Sequence, residues 1–448
     1  MAAPQIIWFR QDFRLRDHAA VLAAAAAGPV LPLFVLDDSR IVRAPGGASR
    51  WWLHHSLQAL DRSLSRLGGR LLLLRGSSAE LLPRLVAETG AGAVHALRQT
   101  EPWWPRIEPQ VPGLVLHEGT TLVPPGLLRT RSGGRFRLFT PFWRTLLEWG
   151  DPPPRPAPER LEFAPAPAGE RLEDWGLLPR APDWSTGFAD WQPGEEGARA
   201  RLADMLPKLH AYAQRRDYPA ETATSRLSPH LHFGEISPAE LWHAAGDRAI
   251  AWRRQLAWRD FAHEMLDQYP KSASRPHRPE FEHIPWTDVT TAEGKALLTA
   301  WQKGLTGYPL VDAGLRELWH SGWMHNRVRM VAASFLTKHL MIDWREGERW
   351  FWDTLLDADL ANNAMGWQWV MGSGVDSAPY YRIFAPVAQS GKFDAAAYVR
   401  RWVPELAALN DQAIHGPFER GWNFYPPPVV EHRFARARAL AAWQALPR

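Results

Sequence analysis

The 448-residue sequence contains no cysteine. Disulfides, thiolate metal sites, iron–sulfur ligation and a cysteine nucleophile are excluded. A reducing compartment fits that absence, and the cytoplasm is the expected location. The N-terminus lacks a basic stretch ahead of an apolar run, so no secretory leader is read. Long apolar runs are scarce. Ala19 to Leu36 carries no charge, yet Gly28, Pro29 and Pro32 interrupt it. An alanine-rich helix followed by a strand over Val30–Leu36 is expected there instead of a membrane span. No GxGxxG follows the first apolar run, which excludes the standard dinucleotide fingerprint.

What is present is ordinary in bulk. Hydrophobic residues make up 46% and charged residues 22%, as in globular chains with room for large cores, and the length suggests two or three domains. The net charge of +4 rests mostly on arginine, whose planar fork suits phosphate. A coding bias that enriches Arg, Ala, Gly and Pro together would give the same composition, so charge alone decides nothing. Tryptophan is the anomaly, with 25 residues against 8 tyrosines. Core packing accounts for most of these indoles, and stacking on an aromatic ligand or a redox role is open for the rest.

Strand-like and helical patterns alternate at first. Gln5–Phe9, Val30–Leu36, Arg70–Leu74 and Ala93–Leu97 are short apolar runs, with helical spacing between them, as over Trp51–Leu67. That alternation predicts an α/β domain with a doubly wound parallel sheet over residues 1–130. Residues 131–196, which include DPPPRPAPERLEFAPAPAGE, read as a long interdomain linker. From 197 to 448 helical periodicity dominates, and a larger all-α domain is expected.

The helical part carries the chemistry. Thr224-Ser225-Arg226-Leu227-Ser228-Pro229 reads either as a helix cap or as a phosphate cradle. In Trp252 to Phe261, residues Gln255, Trp258 and Arg259 share one helical face. They could hold a planar ligand, or present a solvated face in the case of the arginines. In Gly322 to Met330, Asn326 and Met330 are four apart with Arg329 beside them. A cation entering so apolar a helix calls for a carboxylate partner, and Asp357 and Asp359 are candidates. In Asp357 to Trp369, Asn363 and Trp367 are also four apart, whereas Trp367 and Trp369 point to roughly opposite sides. Together these residues suggest a buried polar cofactor site.

At this point the chain resembles the photolyase/cryptochrome family, and the bacterial cyclobutane pyrimidine dimer photolyases in particular. Trp8-Phe9-Arg10-Gln11-Asp12-Phe13-Arg14-Leu15-Arg16-Asp17 is similar to the family's opening. TSRLSP, GWMHNRVRM, IDWREGERWF, DADLANNAMGWQW and YYRIFAPVAQSGKFD match its flavin domain in order and spacing. The resemblance spans nearly the whole chain. It implies FAD held in the helical domain, with Tyr212 and Thr224 to Ser228 at the phosphates and Trp252 and Arg259 among the binding residues. It also implies an Arg329–Asp357 pair beside the isoalloxazine, Asp359 on the flavin and Asn363 facing N5. Trp367, Trp344 and Trp286 correspond to the relay that brings an electron to photoexcited flavin. For the substrate it implies damaged DNA with a flipped-out dimer. Trp258 and Trp369 flank that dimer, Asn326 and Met330 line its pocket, and Arg327 and Arg382 hold phosphate. Excited reduced FAD gives an electron, the dimer splits and the electron returns. A monomer is expected, with no membrane and no protein partner.

The sequence departs from that pattern in three places. Gln255 stands where bacterial cyclobutane-dimer enzymes carry glutamate, and it keeps the hydrogen-bonding shape without the charge. The (6-4) photolyases commonly have glutamine there, but with histidine pairs in the region of Asn326 and Met330 that this chain lacks. The stretch from Trp286 to Trp301 is longer than in bacterial members. Around Leu97 to Pro102 only Glu101 and Pro102 persist of the folate-antenna pattern, and Trp103 and Trp104 either stack on another chromophore or pack. A second antenna chromophore is therefore left without an identity. A cryptochrome-like photosensor that binds FAD without repair is the alternative. A long C-terminal tail would favour it, whereas this sequence reaches Arg448 soon after the family core.

Overall fold

The computed structural model describes residues 2–150, 153–418, 421 and 424–447. Asp151 and Pro152, at the start of the proline-rich stretch, and Arg448 lie outside the described residues. Five strands form one parallel sheet: β1 (Gln5–Phe9), β2 (Val30–Leu36), β3 (Leu72–Arg75), β4 (Ala93–Leu97) and β5 (Leu114–His117), in the order β3-β2-β1-β4-β5. The register sets Gln5 against Val30 on one side and Ala93 on the other. β1 is buried at every residue, as a central parallel strand covered on both faces must be. Helices α1 (Ala19–Ala27), α2 (Gly47–Arg66) and α3 (Ser78–Thr89) make the crossovers. The order reverses between β1 and β4, the place where such sheets open a crevice. Arg10 fills that place here: it donates to the Leu97 carbonyl, pairs with Glu108 at 2.7 Å and lies over Trp104 at 4.4 Å. Trp104 is itself buried against Trp8.

β1, β2, β4 and the alanine-rich α1 fall where the sequence predicts them. β5 is an addition, being short and less apolar than the runs the sequence marks as strands. The stretch expected to be a plain linker holds helix α4 (Phe139–Trp149) and buries Leu161, Leu172, Trp175, Phe188 and Trp191.

Two compact units divide the chain, and they do not follow the expected boundary at 196/197. One comprises residues 1–183, 189–210 and 225–270; the other comprises 184–188, 211–224 and 271–448. Buried polar bonds explain why 225–270 groups with the sheet. Phe13 N donates to Phe233 O at 3.0 Å, Trp52 Nε1 donates to Glu235 at 3.0 Å, and Glu235 also accepts from Ser56. In α5 (Ile250–Gln268), Asp260 accepts from the backbone of Leu122 and Val123 at 2.7 and 3.2 Å. Burial pushes the Asp260 carboxyl up to about 7.

The second unit is largely helical. Around its apolar core lie α6 (Pro309–Ser321), α7 (Asn326–Ser334), α8 (Trp344–Thr354), α9 (Leu360–Met371) and α10 (His432–Gln444). One π-helical turn, Phe335–His339, follows α7. Side-chain caps start four of these helices: His325 accepts from Arg327 N, Asp343 from Arg345 N, Asp359 from Asn362 N, and Glu431 from Arg433 N and Phe434 N. Among the described residues no helix is long and apolar enough to cross a membrane.

Candidate active site

In the helical unit the polar residues converge on α7, α8 and α9. Arg329 reaches from α7 to Asp357 with two parallel bonds, Nη1 to Oδ1 at 3.0 Å and Nη2 to Oδ2 at 2.9 Å, and its Nε donates to Met324 O at 2.7 Å. This is the carboxylate partner that so apolar a helix required, in the fork geometry that makes such pairs strong. Asp359 is engaged as the cap of α9, its Oδ1 accepting from Asn362 N at 2.8 Å. One turn on, Asn363 Nδ2 donates to the buried Glu348 carboxylate at 2.9 Å and to the Glu348 carbonyl at 3.2 Å. Glu348 thus orients the amide, and Asn363 Oδ1 accepts no bond from any described residue.

The indoles divide into two kinds. Trp301 donates its N–H to the Ala332 carbonyl at 3.0 Å, the usual arrangement for a buried tryptophan. Trp286, Trp344 and Trp367 have buried Nε1 atoms with no acceptor among the described residues, at a cost of about 1–3 kcal/mol for each such group. Trp344 and Trp367 are buried and Trp286 is half-buried. Trp367 lies against α8 at Gly347, where a Cβ would come within 2.0 Å of its Cη2. Gly347 is one turn from Trp344, so the close approach brings the Trp367 ring to the helix that carries the next indole. As expected, Trp367 and Trp369 part ways: Trp367 is buried in the core, Trp369 is half-buried, and Arg382 lies over its ring at 5.9 Å.

Asn326 and Met330 do share a face, with Nδ2 3.7 Å from the Met330 sulfur. Arg327 is engaged by Asp217 at 2.8 Å and lies over Phe393 at 4.4 Å. Arg382 is exposed, and its carbonyl and that of Tyr380 accept from Lys338 Nζ, each at 3.0 Å. Lys338 is buried on the π-helical turn, and burial pulls its ammonium down to about 7. Tyr212 is buried, with Arg216 over its ring at 5.4 Å, and burial raises its hydroxyl. Thr224 is half-buried.

In the sheet-containing unit, the hydroxyl-rich run does not cap a helix through its side chains. The helix at Ser228–His232 has Leu227 as its cap residue, without a side-chain hydrogen bond. Ser225 Oγ instead accepts from Leu227 N at 3.4 Å, and Arg226 takes the left-handed backbone at φ +52° with its guanidinium over Trp191 at 4.8 Å. On α5, Trp252 is buried, while Gln255, Trp258 and Arg259 are half-buried. Gln255 Nε2 turns back to Ala251 O at 3.1 Å, and Arg259 Nη1 donates to Thr120 O at 2.8 Å. Trp258 stacks on Phe139 of α4.

Glu348, Gly347, Lys338 and Phe139 do not stand out in the sequence. Glu348 has a signal, being a carboxylate inside the REGERWF run, one turn after Trp344. Phe139 has none, because it sits in a segment that reads as linker.

Comparisons with known proteins point to one family. Residues 252–445 match the FAD binding domain of DNA photolyase, and residues 5–159 match DNA photolyase. The chain is 45% identical to the deoxyribodipyrimidine photo-lyase of Agrobacterium fabrum, covering 99% of this chain and 98% of that protein. It is similar to the crystal structure of a bacterial class III photolyase from Agrobacterium tumefaciens, with TM-score 0.93 and 44% identity over 99% of this chain and 98% of the other. An archaeal photolyase from Sulfolobus tokodaii, solved with two FAD molecules, has TM-score 0.86 and 28% identity over 99% of this chain and all (100%) of that one. The fold and these matches define a flavin-binding photoenzyme. The chain belongs to the DNA photolyase family, and its C-terminal part is the family's largely helical FAD-binding domain.

Proposed function

We propose that this protein is a deoxyribodipyrimidine photo-lyase that repairs cyclobutane pyrimidine dimers in DNA. The observation that carries the reading is the cluster on α7, α8 and α9. It combines an Arg329–Asp357 fork, an Asn363 amide held by Glu348 with its oxygen unclaimed, and buried indoles with unpartnered N–H groups. A packing core needs none of these, whereas an aromatic redox cofactor with ring N–H and carbonyl groups uses all three.

The residues present fit FAD. Arg329, Asp357, Asp359 and Asn363 would hold the isoalloxazine. Tyr212, Thr224, Ser225, Arg226, Leu227 and Ser228 would hold the phosphates, with Trp252 and Arg259 completing the set. Bound and reduced, the cofactor would supply an electron on illumination and take it back after both cyclobutane carbon–carbon bonds break, a redox-neutral reaction. The chain's own work is positioning. Glu348 fixes the Asn363 amide so that its oxygen can accept a ring N–H. The ion pair keeps a cation beside the ring without an unpaired buried charge. Trp367, Trp344 and Trp286 would form the path by which an oxidised cofactor is reset.

This reading assigns the flipped-out dimer to Trp258, Gln255, Asn326, Met330 and Trp369, and the flanking phosphates to Arg382 and Arg327. Gln255 can donate or accept a hydrogen bond but brings no charge and no acidic proton. Met330 and Trp369 are apolar surfaces suited to a stacked thymine pair, which supports the cyclobutane lesion over the (6-4) lesion. The test uses two oligonucleotides, one with a cyclobutane thymine dimer and one with a (6-4) photoproduct, given to the reduced flavoprotein. Repair of the first alone is expected. Repair of the second alone would reassign the lesion, and repair of neither would move the protein to light sensing.

A further inference from the structure

Between β5 and α4 the chain reads Arg129-Thr130-Arg131-Ser132-Gly133-Gly134-Arg135-Phe136-Arg137, with four arginines and no acid. It folds back as a tight turn. Thr130 N donates to Gly134 O at 2.9 Å, Gly133 N donates to Thr130 O at 2.8 Å, and Gly133 takes φ +80°, which glycine adopts without strain. The base of the turn is bolted to α5. Arg135 pairs with Glu264 and Asp267, each at 2.7 Å; Glu264 also accepts from Gly126 N at 2.6 Å, and Gln268 Nε2 donates to Phe136 O at 3.2 Å. Phe136 is buried against Phe142 of α4.

The acids of α5 are therefore spent on Arg135 and on the backbone. Arg129, Arg131 and Arg137 are exposed and make no ion pair with any described residue, and the same holds for Arg144 on α4 and Arg254 on α5. Glu148, at the far end of α4, is the acid these elements leave exposed and unpaired. Like charges held together on a rigid base repel one another, and a polyanion relieves that repulsion. Guanidinium forks match phosphate oxygens. The same helix α4 backs Trp258 through Phe139, and Arg254 lies 5.4 Å from the Phe139 ring, so the cations share a scaffold with the indole assigned to the dimer.

We propose that the 129–137 turn, together with Arg144 and Arg254, is a DNA-phosphate contact surface separate from Arg327 and Arg382. It binds the backbone beside the lesion regardless of sequence or damage. The inference rests on the reading of the protein as a DNA-repair enzyme.

The test is the salt dependence of binding by the FAD-loaded full chain to dimer-containing and undamaged duplexes. It compares the natural protein with the triple variant R129Q/R131Q/R137Q and with the matching triple lysine variant. On B-form DNA, each phosphate neutralised by the protein adds about 0.9 to the slope of log K against log salt. With three cations removed, the glutamine variant is expected to show a slope shallower by roughly 2 to 3 on both duplexes. The lysine variant keeps the slope. The ratio of dimer to undamaged affinity and the repair rate at saturating DNA stay unchanged. A slope unchanged in the glutamine variant overturns the proposal while leaving repair intact. A reduced slope in a protein that repairs nothing upholds this surface and removes the repair reading.

Discussion

Trp258 and Phe139 lie face to face, their ring centroids 3.5 Å apart and their planes 6° from parallel. Phe139 is buried in α4, so one face of the half-buried Trp258 indole is closed and its tilt is fixed before any ligand arrives.

Removing Phe139 therefore tests what Trp258 does. A stacked aromatic pair is worth about 0.5–1.5 kcal/mol beyond its buried area. Phe139→Ala is expected to weaken binding of dimer-containing DNA about two- to tenfold, at 1.4 kcal/mol per tenfold change. Affinity for undamaged DNA should stay the same. Titration of both duplexes measures the difference. Equal weakening on both would assign the stack to folding alone.

The Arg329–Asp357 fork makes a second prediction. Asp357 has a side chain only 4% exposed, and breaking a buried ion pair by removing one partner costs about 3–5 kcal/mol. Arg329→Ala is expected to lower the melting temperature and the flavin-to-protein ratio together. An unchanged flavin ratio in the folded variant would separate this pair from the cofactor.

Gly347 makes a third. A Cβ there would stand 2.0 Å from Trp367 Cη2 and 2.6 Å from Leu336 Cδ2. Such overpacking costs about 1–3 kcal/mol. Gly347→Ala is expected to destabilise the fold by that amount and, by displacing Trp367, to slow photoreduction of oxidised flavin. Transient absorption reads the second effect, which simple destabilisation would not produce.

The fourth concerns His325. Its Nε2 is 2.9 Å from the Arg216 carbonyl and its Nδ1 accepts from Arg327 N at 3.2 Å. These partners fix the neutral ring with the proton on Nε2, and a protonated ring would lose the cap. Burial pulls the group down from 6.5 to about 4, with the hydrogen bond to the Arg216 carbonyl and the Asp217 charge opposing and the Arg216 and Arg327 charges adding to the effect. The unfolded chain takes up this proton below pH 6.5 and the folded chain only near pH 4. The stability from His325 is thus full above 6.5 and lost as pH falls toward 4. The melting-temperature advantage over His325→Gln is expected to shrink across that interval, and a constant difference would contradict it.

How much is legible in the sequence depends on where the information sits. β1, β2 and β4 are continuous apolar runs between turn residues, so their limits are readable. β5 is shorter and mixed, and α4 hides behind an arginine- and glycine-rich turn. Arg329, Asp357, Asn363 and Trp367 are readable as candidates because each lies in a dense run of polar and aromatic residues at helical spacing. Their supports are not. Glu348 meets Asn363 across 15 positions, and Phe139 meets Trp258 from another helix altogether. Gly347 matters only because of what presses on it. The capping reading of the hydroxyl run fails because Leu227, not one of the hydroxyl residues, stands at the cap position of its helix.

The central claim is most directly tested by giving the reduced FAD-bound protein an oligonucleotide with one cyclobutane thymine dimer, with and without blue or near-ultraviolet light. Restoration of both thymines in the light and none in the dark is the expected result. No restoration in the light, by protein that binds FAD and photoreduces it, would contradict the account.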